Sequence, residues 1–286
     1  MDQMAGPALA GRKRSPVLSG LADGLRDFAA NRKTYLAIAD PEALHRLRIA
    51  MRRMRTALSI LKDHAGDARI AGLATQTRRV FAATGHAREC DVFAARIKSD
   101  KPVEGLADTA KLIDIVEAHR RSCHAEAHAF LAGGETQACM RNIEAFLDSA
   151  GPGFAAGPRK VLGRLYKRTR KRGRQFARLG DDGRHELRIA LKKLRYGTEF
   201  FRENFGRKRR YAKLLAATGK LQDLLGAHND HVSAGAFLDN LPGAEAPELA
   251  KARRVVIETY KRTDEDSAAS LVRAWKKFKR AKPFWR

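Results

Sequence analysis

The chain is short of several things, and each shortage removes a class of protein. Sustained period-two alternation of apolar and polar residues is missing, so β-strands are not expected. No uninterrupted apolar run reaches the roughly 18 residues that span a bilayer. The opening MDQMAGPALAGRKRSPVLSG lacks the long apolar core of a signal peptide and reads as a loose tail. Cys90, Cys123 and Cys139 are odd in number and show no CxxC spacing, which indicates neither a disulfide framework nor a thiolate metal site and fits a reducing cytoplasm. There is no GxxxxGK[ST] loop, no HExxH and no recognisable nucleophile motif, so no catalysis, cofactor or metal is expected. Aromatic residues are only 7% of the chain, few for base stacking.

Negative charge is scarce as well. Asp and Glu number 32 against 57 Lys and Arg, a formal charge of +25. Such an excess opposes compaction, and its usual meaning is a polyanionic partner: nucleic acid, an anionic membrane or polymeric phosphate. With 286 residues and 44% hydrophobic content, the chain is nevertheless long and apolar enough to bury a real core. Alanine, leucine, arginine and glutamate dominate, the composition of an all-α protein.

The most informative stretch is Pro41 to Leu61, PEALHRLRIAMRRMRTALSIL, which returns around His185 as GRHELRIALKKLRYGTEFF. On a helical wheel with His45 at zero, Arg48, Arg52 and Arg55 fall at about 300°, 340° and 280°. Leu47, Met51, Met54, Leu58 and Leu61 fall between about 160° and 240°. The cations therefore border the apolar face instead of opposing it. His185, Arg188, Lys192 and Arg195 repeat the pattern beside Leu187, Leu191 and Leu194. Arg53 and Lys193 lie on another side, at about 80°, where a structural or solvent-facing role is expected.

Capping signals set the helix starts. Ser15-Pro16 opens a helix towards Ile38, Asp40-Pro41 opens the first basic stripe, and Ala65-Gly66 ends it. A third helix, from Asp67 to Thr84, ends in AATG, and AATG recurs at Ala216 to Gly219. That alignment places Arg79 on Lys213 and His86 on Lys220, and each copy is followed by a charged cluster, HARECDV or KLQDLLGAHNDHV. Further helices are expected from Glu104 to Leu131, from Glu135 to Ser149 and from Pro247 to Lys279. Ala150 to Pro158, rich in glycine and proline, joins the halves. The stretch after it, PRKVLGRLYKRTRKRGRQFARL, sets Arg164, Lys167, Lys171 and Arg174 against an apolar side, a like-charged face that a bound polyanion would relieve.

A single basic run is usually a solvated face. Here cations recur on four helices and flank the core stripe in two, which favours anion binding for these positions. His45 and His185 begin their helices, where the dipole favours an anion over a protonated ring. Each imidazole has two readings, a hydrogen bond to phosphate oxygen or a tie between helices. His119, His124 and His128 lack a metal-site frame and are expected to pack.

HRLRIAMRRMR and HELRIALKKLR resemble the two signature helices of CHAD domains, the conserved histidine α-helical domains. HARECDV, LQDLLGAHNDHV, the basic helix after the join and the terminal tryptophan-bearing helix support the resemblance, which runs from Ser15 to Arg286. It implies two helical bundles related by a pseudo-twofold axis, with a central basic cavity that binds inorganic polyphosphate. On this basis 1–14 is a tail, 15–149 and 159–286 are the two halves, and 150–158 is the linker. The implied ligand set is His45, Arg48, Arg52, Arg55, His185, Arg188, Lys192 and Arg195. The basic residues Arg79, Arg88, Arg164, Lys167, Lys171, Arg174, Lys213 and Lys220 join it as further candidate contacts. Glu89 stands where the family usually has aspartate. Glu199 falls on the second basic stripe and is expected to weaken it or to order Arg195. The chain has no room for the triphosphate-processing domain of some relatives, so binding without catalysis is expected, in the cytoplasm and at polyphosphate granules. Nucleic acid is the alternative partner and a metal-dependent phosphohydrolase the less favoured alternative. Protein partners are not indicated, nor is a membrane. Charge reversal at Arg48 and Arg188 is expected to weaken binding without unfolding.

Overall fold

The structure is a computed structural model that describes residues 14–65, 67–99, 107–150 and 157–286. The expected tail and linker lie almost wholly outside these residues, as do Gly66 and the expected helix start at Glu104. The described residues form ten α-helices and no strand. In chain order they are α1 (Pro16–Ile38), α2 (Pro41–Ala65), α3 (Arg69–Ala83), α4 (Gly85–Ser99) and α5 (Ala107–Ala132). They continue with α6 (Gly134–Ser149), α7 (Pro158–Arg172), α8 (Asp181–Phe200), α9 (Lys208–Asp239) and α10 (Ala250–Arg280). None of them is long and apolar enough to cross a membrane.

Local chemistry sets the α1–α2 joint. Ser15 Oγ accepts from Leu18 N at 3.4 Å with Pro16 in the first turn. Ala39 takes the left-handed conformation (φ 50°) and donates its N–H to Tyr35 O at 2.8 Å, ending α1. Asp40 then accepts from the backbone N–H groups of Glu42 (3.1 Å) and Ala43 (3.0 Å), starting α2. So short a connection folds α2 back along α1. The helices approach closely where Gly24 faces Met54, whose Cγ would lie 2.7 Å from an added Cβ.

The apolar stripes converge on one main core. Leu44, Leu47, Met51, Met54 and Leu58 of α2 join Leu187, Leu191 and Leu194 of α8, Leu221 and Leu225 of α9, and Trp275 and Phe278 of α10. A second cluster packs Phe93 and Ile97 of α4 and Leu112 and Val116 of α5 against Leu238 of α9 and Val256 and Tyr260 of α10. Both clusters draw on both halves of the chain. The halves therefore share their interior.

Two expectations need correction. The first AATG ends α3, but the second lies inside α9, which runs unbroken from Lys208 to Asp239. In the first copy Thr84 donates to Phe81 O (3.0 Å), and Arg48 Nη1 donates to the same carbonyl (2.8 Å) and to Thr84 Oγ1 (2.7 Å). These bonds satisfy the carbonyl end of α3 from outside the helix. In the second copy Thr218 Oγ1 bonds back to Leu214 O at 2.8 Å, a bond the continuing helix accommodates. The basic stretch after the linker is likewise interrupted. Its helix stops at Arg172, and Gly173 passes against the Trp275 ring, which stacks between Phe176 (5.2 Å between centroids) and Phe278 (5.5 Å).

A Cβ at Gly173 would lie 2.2 Å from Trp275 Cη2, whereas one at Gly163, inside α7, would meet nothing within 4 Å. Gly173→Ala should therefore destabilise the fold by about 1–3 kcal/mol. Gly163→Ala should stabilise it by up to about 1 kcal/mol through helix propensity. Urea unfolding of both variants checks the pair.

Candidate functional site: a cation cluster shared by two helices

The two basic stripes meet. Arg52 of α2 acts electrostatically on Arg188 and Lys192 of α8, and Arg48 acts on Lys192. Arg88 of α4 reaches His45 and Arg48 from a third helix. The apolar residues behind these cations are almost fully buried, so the cations stand at the rim of the core as the wheel predicts. Seven of the expected residues share this region: His45, Arg48, Arg52, Arg55, Arg88, Arg188 and Lys192.

Arg48 and Arg55 are held by contacts with α3 and the residue beyond it. Phe81 takes two guanidinium groups over its ring, with Arg48 at 4.1 Å and Arg55 at 4.6 Å from the centroid. Arg48 also closes the end of α3. A glutamate there would face the Phe81 carbonyl, so charge reversal at Arg48 would disturb the fold, contrary to expectation. Arg188 passes Gly226 of α9, whose Cβ position lies 3.8 Å from the guanidinium.

Burial and mutual repulsion work together on these groups. Burial lowers the pKa of Lys192 to about 7, helped by Arg188, Arg52 and Arg48 and opposed by Asp230. Burial, then Arg52, brings Arg48 down to about 10. His45 is lowered by burial and by Arg88, Arg52 and Arg48, against the pull of Glu42. Asp230 of α9 is the carboxylate that faces Arg188, Lys192, Arg96 and Arg88, and its own burial raises its pKa. The Nε atoms of Arg48, Arg52 and Arg188 are buried and have no hydrogen-bond partner among the described residues. Each of these guanidinium groups therefore keeps one unmet donor, as do Arg53 and Arg184.

The remaining candidates are placed elsewhere. Arg79 is exposed and donates to Glu135 of α6 at 2.8 Å, while its neighbour Arg78 is the α3 residue acting on Arg55. Arg195 donates to Glu199 (3.1 Å) and to Gln222 (3.4 Å), so Glu199 orders it. His185 is exposed and its Nδ1 lies 2.9 Å from Asn229 Oδ1, a tie between α8 and α9. Arg164, Lys167, Lys171 and Arg174 are exposed, with Arg164 4.0 Å from Asp63. Lys213 and Lys220 are exposed on α9. Depressions lined by Arg253 and Arg254 and by Arg159 and Lys160 contain none of the cluster residues.

Lys193 is neither bare nor solvent-facing: Arg168, Arg55 and Arg172 all lie close enough to lower its pKa, after burial, with Asp63 opposing. The rim rule used for α2 would have found its α7 neighbours. With Val161 at zero, Arg168 and Arg172 fall at about 340° and 20°, beside the apolar face, whereas Lys167 and Lys171 fall at about 240° and 280°. Arg53 does have a structural place, with Asp23 and Asp27 at 3.5 and 3.9 Å. Arg96 had no motif to mark it, and Asp230 lies in the LQDLLGAHNDHV segment without having been singled out as a site residue.

Behind Arg88, α4 is anchored by Asp91. This buried carboxylate accepts from Arg120 Nε (2.8 Å) and from His124 Nε2 (2.8 Å), and His124 Nδ1 lies 2.9 Å from the Tyr35 hydroxyl. Burial pushes Asp91 up, but the bonds from His124 and Arg120 outweigh it and hold the carboxyl below its usual range. The chain from α4 through α5 to α1 gives His124 the packing role expected of it.

A family profile described as CHAD domain matches residues 19–239. The crystal structure of the CHAD domain from the plant Ricinus communis is similar, with a TM-score of 0.76 and 25% identity over 97% of this chain and 98% of that one. PptA from Streptomyces chartreusis shares the fold, with a TM-score of 0.68 and 18% identity over 92% of this chain and 100% of that one. No curated protein matches in sequence. A profile match over most of the chain, together with an all-helical fold shared with a solved CHAD structure, establishes that this chain belongs to the CHAD domain family.

Proposed function

We propose that the protein binds inorganic polyphosphate without hydrolysing it, chiefly through Arg48, Arg52, Arg55, Arg88, Arg188 and Lys192. The observation that carries this reading is the meeting of both basic stripes at one place, with buried guanidinium Nε atoms lacking partners there. Arginine forks grip phosphate oxygens in pairs, and Lys192 adds a point charge. Along α2, Arg48, Arg52 and Arg55 are separated by roughly 4.5–6 Å of helix rise, a spacing suited to a polymer with charge on every unit. His185, tied to Asn229, serves mainly to position α8 against α9. The same reading places the protein in the cytoplasm where polyphosphate accumulates.

Nucleic acid is the weaker reading because the aromatic residues are spent elsewhere. Tyr166 packs in the core against Phe278 and Trp285, and Tyr196 packs against the same core. A metal-dependent hydrolase needs clustered carboxylates, whereas Asp230 stands among cations as their counter-ion.

Long-chain polyphosphate should displace duplex DNA at equal phosphate concentration. Arg52→Gln and Lys192→Gln should each weaken polyphosphate binding about tenfold or more, since a charge-assisted hydrogen bond contributes about 1.5–3 kcal/mol. The double variant should also flatten the slope of log K against log salt by about 1.4. Arg79→Ala should bind normally. If DNA wins the competition, or the double variant binds like wild type, the reading fails. Phosphate release with added magnesium or manganese would instead support hydrolysis.

A pH test follows from Lys192. Its free-state pKa of about 7 must rise when an anion binds, so binding takes up a proton and affinity falls as pH climbs through about 7. Lys192→Arg, charged throughout, should remove most of that fall. Calorimetry in buffers of different ionisation enthalpy measures the proton uptake directly. Without ligand the sign reverses: the unfolded chain holds this proton more tightly, so Lys192 adds stability as pH rises from about 7 towards the ordinary lysine value.

A further inference from the structure

Cys90, His119 and Cys123 converge between α4 and α5, although no CxxC motif marks them in the sequence. One sulfur from each cysteine and one ring nitrogen of His119 all lie within 4.8 Å of each other. Cys123 Sγ is 3.5 Å from His119 Nε2. A tetrahedral zinc ion with Zn–S about 2.3 Å and Zn–N about 2.0–2.1 Å places sulfur and nitrogen ligands about 3.5 Å apart and two sulfurs about 3.8 Å apart. The Cys123–His119 pair already has that separation, and Cys90 needs at most about 1 Å of adjustment. Spacing alone indicates no thiolate metal site, but the fold brings Cys90 across from α4 beside His119 and Cys123.

The surroundings favour a metal over chance packing. His119 and Cys123 are one helical turn apart on α5 and present their ligand atoms together. The His119 ring is braced at 6.1 Å, edge on, by Phe237 of α9. Both thiols are buried while His119 is partly exposed, so an ion would enter from the histidine side. Asp91 is held through Oδ1 by Arg120 and His124, its buried Oδ2 has no partner among the described residues, and it is not one of the three residues that converge. Glu89 and Glu126, exposed and acting on Cys123, leave the fourth position to a carboxylate or to water. Cys139 sits apart on α6.

We propose that Cys90, His119 and Cys123 form a binding site for a thiolate-preferring divalent cation of the zinc class, with one coordination position open. Two sulfurs and an imidazole suit tetrahedral zinc and do not suit magnesium or calcium. The ion would clamp α4 to α5 two residues beyond Arg88. This site is independent of the polyphosphate reading.

The test uses the untagged full chain, reduced and kept free of oxygen, loaded with zinc and desalted against a weak chelator. One zinc per chain is expected by elemental analysis, and cobalt in its place should give thiolate-to-metal charge transfer and the intense visible bands of a tetrahedral centre. Cys90→Ser and Cys123→Ser should lose both signals, and Cys139→Ser should keep them. His119→Gln, at the exposed rim, should lose the tetrahedral spectrum while keeping native circular dichroism, which guards against a folding artefact in the cysteine variants. The proposal is overturned if the wild type retains no metal, if Cys139→Ser loses it equally, or if His119→Gln keeps the tetrahedral spectrum.

Discussion

Like charges are held side by side in this protein because the apolar residues next to them are buried. Arg48, Arg52, Arg188 and Lys192 repel one another, and left to themselves they would separate. Leu47, Met51 and Met54 on α2 and Leu187, Leu191 and Leu194 on α8 do not permit it. Each buried aliphatic side chain is worth about 1.5–3 kcal/mol, so a few of them outweigh the repulsion of partly screened cations. The lowered pKa of Lys192 reflects its burial first and this repulsion second.

The same arrangement explains why so few acids are near. A full set of carboxylates would remove the strain, but it would also occupy the donors. Asp230 is the limited compromise: one carboxylate set against four cations from α4 and α8. Phe81 performs a related task by non-ionic means, with a ring that attracts both Arg48 and Arg55. The cations are ordered by contacts that leave most of their charge unneutralised.

Much of this was legible in the sequence because it is local. Ser15, Pro16, Asp40 and Pro41 act within one helical turn, and the stripe around His45 follows from helix periodicity alone. What escaped depends on contacts between distant segments. The two AATG copies differ because Arg48 reaches Phe81 and Thr84 in one of them, which no comparison of the two segments reveals. Arg79 and Arg78 are neighbours in sequence, yet Glu135 on another helix engages the first. Arg168 and Arg172 were hidden only by applying the rim rule to two helices and not to a third. The Cys90, His119 and Cys123 cluster needs α4 and α5 to pack before it exists.

The shared interior gives the cation cluster a mechanical meaning. Its members sit on α2 and α4 in the first half of the chain and on α8 in the second, and the halves are joined through common cores. The electrostatic repulsion therefore acts as a compressed spring across the internal seam, held shut by oily contacts on its inner side. Dilute buffer loads that spring and added salt slackens it. A multivalent anion laid across the seam would do more than bind: it would cross-brace the two halves.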